Sequence, residues 1–182
     1  NDDDQLSINF TWTNSSGFSL TDSASVENGV PGNITLGEGN TSTGDTWTCS
    51  ITPYDAEVYG AESISNGISI ENNPAVTTEP YIIAAGIENY TTQDLTCFFN
   101  ITDPDLGQIL SADYIWYVNG TINETGKVSV DNNTLANTTL DYRNTSKHQE
   151  WTCEIIPCDE STCNNDGKDT STPITIETPL QE

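Results

Sequence analysis

Asparagine carries the most specific chemistry in this sequence. The pattern Asn-x-Ser/Thr, with x other than Pro, occurs at Asn9, Asn14, Asn33, Asn40, Asn89, Asn100, Asn119, Asn123, Asn132, Asn137 and Asn144. In that pattern the carboxamide nitrogen is the acceptor for an N-linked glycan. With 19 Asn and with 43 of 182 residues Ser or Thr, chance placement gives roughly 4.5 such sites, so the 11 found exceed composition. Carboxylates come next. Asp103-Pro104-Asp105 and the run Asp2-Asp3-Asp4 make Asp103, Asp105, Asp3 and Asp4 candidate calcium ligands, although that ion needs about six to eight oxygens and these supply only a few. Calcium is the one candidate cofactor. The five cysteines, Cys49, Cys97, Cys153, Cys158 and Cys163, lack zinc spacing, and the single histidine, His148, cannot complete a zinc site. His148 sits in Lys-His-Gln-Glu-Trp, which reads as an exposed loop. No nucleophile elbow or Gly-rich phosphate loop is present, so the expectation is no enzyme.

These side chains must be positioned by a fold, and charge narrows its setting. Four Lys and Arg against 28 Asp and Glu give a net charge of −24. Such a surface repels a phosphate backbone and anionic membranes alike. No apolar run approaches the length of a membrane span, so neither nucleic acid nor membrane insertion is expected. Hydrophobic residues are 34 % of the chain, enough for thin cores.

The sequence is written twice. Trp12 and Trp116, and likewise Cys49 and Cys153, lie 104 residues apart. Trp47-Thr48-Cys49-Ser50-Ile51-Thr52-Pro53-Tyr54-Asp55 matches Trp151-Thr152-Cys153-Glu154-Ile155-Ile156-Pro157-Cys158-Asp159 at the same offset. Asn33/Asn137, Leu36/Leu140 and Asn40/Asn144 keep it; Ile68 and Ile174 fall 106 apart. A period of this size is that of one β-sandwich. The apolar residues alternate with period two in Leu6, Ile8, Phe10, Trp12 and in Leu95, Cys97, Phe99, Ile101, which predicts half-buried strands. Asn9, Asn33, Asn100, Asn119 and Asn137 fall on the opposite parity and are expected to face solvent.

In the second copy the order Cys97, Trp116, Cys153 is what an immunoglobulin-type sandwich requires, with two cysteines joining the sheets and an indole against the bridge. Residues 102–120 (TDPDLGQILSADYIWYVNG) resemble the tandem Ig-like or cadherin-like repeats of large archaeal and bacterial cell-surface and filament proteins, in which an Asp-rich turn leads into a strand ending W-x-x-N-G. WTCSITPYDA and WTCEIIPCDE resemble the late strand of those repeats. The resemblance implies an all-β fold of two tandem immunoglobulin-like sandwiches, with Cys97–Cys153 between the sheets. Cys158 and Cys163 flank a short turn and are expected to staple the last hairpin. Paired cysteines place the chain in an oxidising, extracytoplasmic location.

Mapped back by 104 residues, Asn1 meets Asp105, so residues 1–74 are expected to hold strands C to G of an incomplete domain and residues 75–182 a complete one. Cys49 is then expected to pair with a Cys outside this segment. A longer tandem polypeptide, strands donated by a neighbouring subunit, and front strands present but unseen all account for this; a smaller sandwich with a free Cys49 is the plain alternative. Asn72-Asn73-Pro74 is expected to end the last strand of the first copy, since Pro cannot extend a ladder, and Pro80-Tyr81-Ile82-Ile83-Ala84-Ala85 to form strand A of the second. The expected function is a structural subunit of an extracellular, heavily N-glycosylated filament, stalk or surface sheath. Its partners are copies or neighbouring domains of the same polymer, together with covalent glycans. An adhesin or receptor-type ectodomain binding through its loops is the alternative. An enzyme-accessory domain would need an aromatic platform for sugar, for which Tyr81, Phe98 and Tyr117 are the candidates.

Overall fold

The computed structural model describes residues 5–86, 88–105, 107–160 and 162–178. The described residues form strands, turns and two short 3-10 segments. None of their helical segments is long and apolar enough to cross a membrane. The chain divides into two compact units, Asn1–Asn72 and Asn73–Glu182.

The second unit is an immunoglobulin-like sandwich of two sheets. Strands β6 (Val76–Ala84), β7 (Leu95–Thr102) and β10 (Leu135–Leu140) form a three-stranded sheet in the order β10-β7-β6. Strands β8 (Leu110–Val118), β9 (Thr121–Val130), β11 (Glu150–Cys158) and β12 (Asp169–Thr170) form the other in the order β12-β11-β8-β9. Strand β13 (Ile174–Thr175) also pairs with β11. All ladders are antiparallel. The period-two alternation directs Leu95, Cys97, Phe99 and Ile101 inward from β7, against Trp151, Cys153 and Ile155 from β11; all are buried. Trp116 lies opposite Cys153 in register and edge-on to Trp151 at 6.5 Å. Cys97 and Cys153 are disulfide-bonded. The β8–β9 hairpin turns on Asn119 and Gly120, both at positive φ (49° and 76°), the primed geometry that an Asn-Gly pair favours because it matches the twist of the strands.

The first unit repeats the larger sheet. Strands β1 (Leu6–Asn14), β2 (Ser19–Val26), β3 (Thr46–Tyr54) and β4 (Ser63–Ile64) run in the order β2-β1-β3-β4, with β5 (Ile68–Ser69) also on β3. Strands β1 and β3 begin and end 104 residues before β8 and β11; β4 and β5 precede β12 and β13 by 106. The correspondence reaches individual hydrogen bonds. The Cys49 N–H donates to Ser65 Oγ at 2.9 Å as the Cys153 N–H does to Ser171 Oγ at 3.0 Å. Thr41 Oγ1 donates to the Glu38 carbonyl as Thr145 Oγ1 does to that of Tyr142. One substitution within this shared frame is chemical. Where the second copy joins Cys158 to Cys163, the first carries Tyr54 and Tyr59, bridged at the same backbone position with rings 4.6 Å apart.

Candidate functional site

The core face of the first unit's sheet carries Trp12 opposite Cys49, Phe10 opposite Ile51, and Ile8 opposite Pro53. Trp116, Tyr114 and Ala112 hold these places in the second unit, opposite Cys153, Ile155 and Pro157. In the second unit the three-stranded sheet closes over that face, and Trp116, Ala112, Cys153 and Ile155 have no exposed surface (0 %). In the first unit no opposing sheet exists among the described residues. Trp47 and Cys49 are buried there, but Leu6, Ile8, Phe10, Trp12 and Ile51 remain partly exposed and Pro53 is exposed. Each such side chain that passes from half-exposed to buried contributes roughly 1 kcal/mol.

Two local details follow the same division. Residues 31–36, the counterpart of β10, join no ladder, because the strand that pairs with β10 is β7 and unit 1 has no counterpart of β7 among its described residues. A cleft of about 230 Å³ opens at one end of the face between Leu6, Val26, Pro53, Tyr54, Val58 and Gly60. In the second unit the matching residues Leu110 and Pro157 are buried, and the amide of Asn164, the counterpart of Gly60, donates to the carbonyl of buried Ala75 just ahead of β6. Cys49 is a free, buried cysteine whose thiol is pushed above its ordinary pKa by desolvation.

The sequons spread over both units. Asn9, Asn33, Asn40, Asn119, Asn123, Asn132, Asn137 and Asn144 are exposed; Asn14, Asn89 and Asn100 are half-buried. Five have hydrogen-bonded carboxamides: Asn40 Nδ2 donates to the Gly37 carbonyl at 3.5 Å and Asn119 Oδ1 accepts the Glu150 N–H at 2.9 Å, and three are tied more closely. Asn14 Nδ2 donates to Asp45, while its Oδ1 accepts the Ser16 and Phe18 N–H groups. Asn100 Nδ2 donates to Asn133 Oδ1 at 3.1 Å. Asn132 clamps the backbone of Asp103 from both sides, donating to its carbonyl at 2.6 Å and accepting its N–H at 3.0 Å.

Of the candidate calcium ligands, Asp3 and Asp4 lie outside the described residues. Asp103 is buried at 4 % exposure; its Oδ1 accepts the Asp105 N–H at 2.7 Å and its Oδ2 has no hydrogen-bond partner. Desolvation, with the nearby Asp105 and Asp159 charges, holds its carboxyl above the ordinary range. The Asp105 carboxylate accepts both the backbone N–H and the side-chain amide of Asn73. Among the described residues the one tight group of metal-ligating types is Asp113 with Cys158 and Cys163, and those cysteines are joined to each other. His148 is exposed in a left-handed turn (φ 65°), its N–H donating to the Ile176 carbonyl. Tyr117 donates to Glu154 Oε1 on the larger sheet at 3.3 Å, and burial raises its phenol pKa. Tyr81 and Phe98 stack at 5.5 Å on the outer face of the smaller sheet.

No family model matches the sequence, and no curated protein matches it. Among solved structures, the interferon gamma receptor alpha chain of chicken is similar at 9 % identity, over 99 % of this chain and 88 % of that chain, with a TM-score of 0.44. That superposition is too loose to bear on function.

Proposed function

We propose that the chain is a segment of an extracellular, N-glycosylated structural protein, a filament, stalk or sheath assembled from tandem or strand-complemented immunoglobulin-like domains. The observation that carries this reading is the uncovered core face of the first unit; in the second unit the matching face is covered by that unit's own β6, β7 and β10. An apolar sheet face with an unpaired neighbouring segment calls for strands of the same kind. The occupant is a hairpin of the β6–β7 type from the adjoining part of the polymer, with a cysteine opposite Cys49 as Cys97 stands opposite Cys153. The disulfides support an oxidising setting. The charge of −24 and the sequons support a hydrated, non-adherent exterior. The mechanism is mechanical: sheet ladders and bridges resist extension, and sugar and charge keep the outside inert.

Non-reducing peptide mapping and electron microscopy of the native material test it. The expected results are Cys49 in a disulfide with a peptide outside this segment, and long particles with a short axial repeat. A free Cys49 thiol in monodisperse single molecules overturns the proposal.

A further inference from the structure

The outer face of the smaller sheet is unusual for a surface this acidic. Tyr81, Ile83 and Leu135 are exposed there at 43, 49 and 59 %, grouped around half-buried Phe98. In register, Asn137 on β10 lies directly across from Phe98 on β7, which lies directly across from Tyr81 on β6. One row across the sheet thus reads Asn, Phe, Tyr, with the two rings stacked at 21° between planes. Direct cross-strand neighbours stand about 5 Å apart at Cβ, which is the reach of the first sugar of an N-linked glycan. Asn137 is exposed and begins Asn137-Thr138-Thr139. Asn100 shares the face two residues from Phe98, but its amide is committed to Asn133.

We infer that Asn137 carries an N-linked glycan whose first pyranose lies on the Phe98–Tyr81 platform, so that the sugar is a structural part of the second domain. The inference rests on the glycoprotein reading above and deepens it. In the attachment step a separate transferase uses a lipid-phosphate-linked oligosaccharide as donor. The Asn137 Nδ2 forms a bond to the anomeric carbon and gives up one proton. The anomeric carbon–oxygen bond to phosphate breaks, and the lipid phosphate leaves with the electron pair. The C–H-bearing face of the pyranose then meets the electron-rich ring faces and removes exposed apolar surface from water. The same contact shields a patch that would otherwise favour association.

The test is a cycle on the full chain secreted from a glycosylating host: wild type, Asn137→Gln, Tyr81→Ser with Phe98→Ser, and all three together. Glycopeptide mass spectrometry reads occupancy, and thermal unfolding reads the second unit. The expected result is an occupied Asn137 and a melting temperature about 4 °C or more lower in Asn137→Gln, with that loss nearly abolished when the rings are absent. Thr139→Ala, which removes the sequon and keeps Asn137, should repeat the loss. An equal loss in both backgrounds overturns the stacking and leaves the glycoprotein reading standing. A bare Asn137 among occupied sequons does the same. Bare asparagines throughout overturn both. If the ring variant is not secreted, ring-current shifts of the sugar protons in the wild type decide; their absence overturns the inference.

Discussion

At the scale of single residues, hydrogen-bond commitment separates asparagines that share one motif. Asn14, Asn100 and Asn132 use their amides to hold turns and strands, so a glycan there would displace those contacts. Glycopeptide mapping should find these three bare and exposed Asn9, Asn33 and Asn144 modified. Asp103 gives a pH prediction. Its raised pKa means the native chain keeps that proton to higher pH than the unfolded chain. Its contribution to stability is therefore full below the ordinary carboxylate range and is lost as pH climbs through the raised value. Asp103→Asn, which retains an acceptor for the Asp105 N–H, should melt higher than wild type at pH 7 in chelator. A reversal of that order on adding calcium would show that a cation offsets the buried charge. The exposure of Asn9 and Asn33 was legible from strand parity, whereas the amide commitments and the burial of Asp103 were not. Asn132 reads only as a sequon, and its clamp on Asp103 spans 29 residues; burial created by such a long-range contact leaves no local pattern.

At the scale of elements, inward-outward alternation was legible because it records which face each strand buries. The offset between Trp12 and Trp116 and between Cys49 and Cys153 therefore carried over to whole strands. Where packing interrupts the alternation, the sequence misleads. Strand β6 begins at Val76 rather than Pro80, with a register shift between Thr78 and Tyr81 that lets buried Pro80 sit inside a strand. The last strand of each unit is split, Ser63–Ile64 from Ile68–Ser69 and Asp169–Thr170 from Ile174–Thr175. The turn at Asn119-Gly120 is a direct test of local chemistry. Gly120→Val forces a β-branched side chain into positive φ and should lower stability by about 1–2 kcal/mol, read by denaturant unfolding. Removing the Cys97–Cys153 bridge, whose cysteines are 56 residues apart, should cost about 4 kcal/mol on the chain-entropy argument; removing Cys158–Cys163, at a separation of 5, should cost about 2 kcal/mol.

At the scale of the molecule, excess negative charge dominates. Three cations are paired, Lys127 with Asp113 and Arg143 with Asp141 in the open and Lys168 with the half-buried Glu154, at 2.9–3.2 Å; the two exposed pairs contribute at most about 1 kcal/mol each. The uncompensated carboxylates repel one another over about a Debye length. Thermal stability should therefore rise between about 0.01 and 0.5 M sodium chloride, measured by scanning calorimetry. A flat response would show that the charges are too dispersed to interact.

The two turns that close β3 and β11 carry a consequence for how the molecule ages. One is held by a sulfur–sulfur bond and its twin by a pair of phenol rings. A small thiolate that reaches half-buried Cys163, whose partner Cys158 is buried, can attack the bridge and leave a mixed disulfide, whereas the ring pair offers no bond to exchange. Long exposure to thiols would open the second copy's turn and cross-link it to its surroundings while the first copy's stayed chemically silent. The difference gives each module its own clock, readable by mild alkylation of aged material.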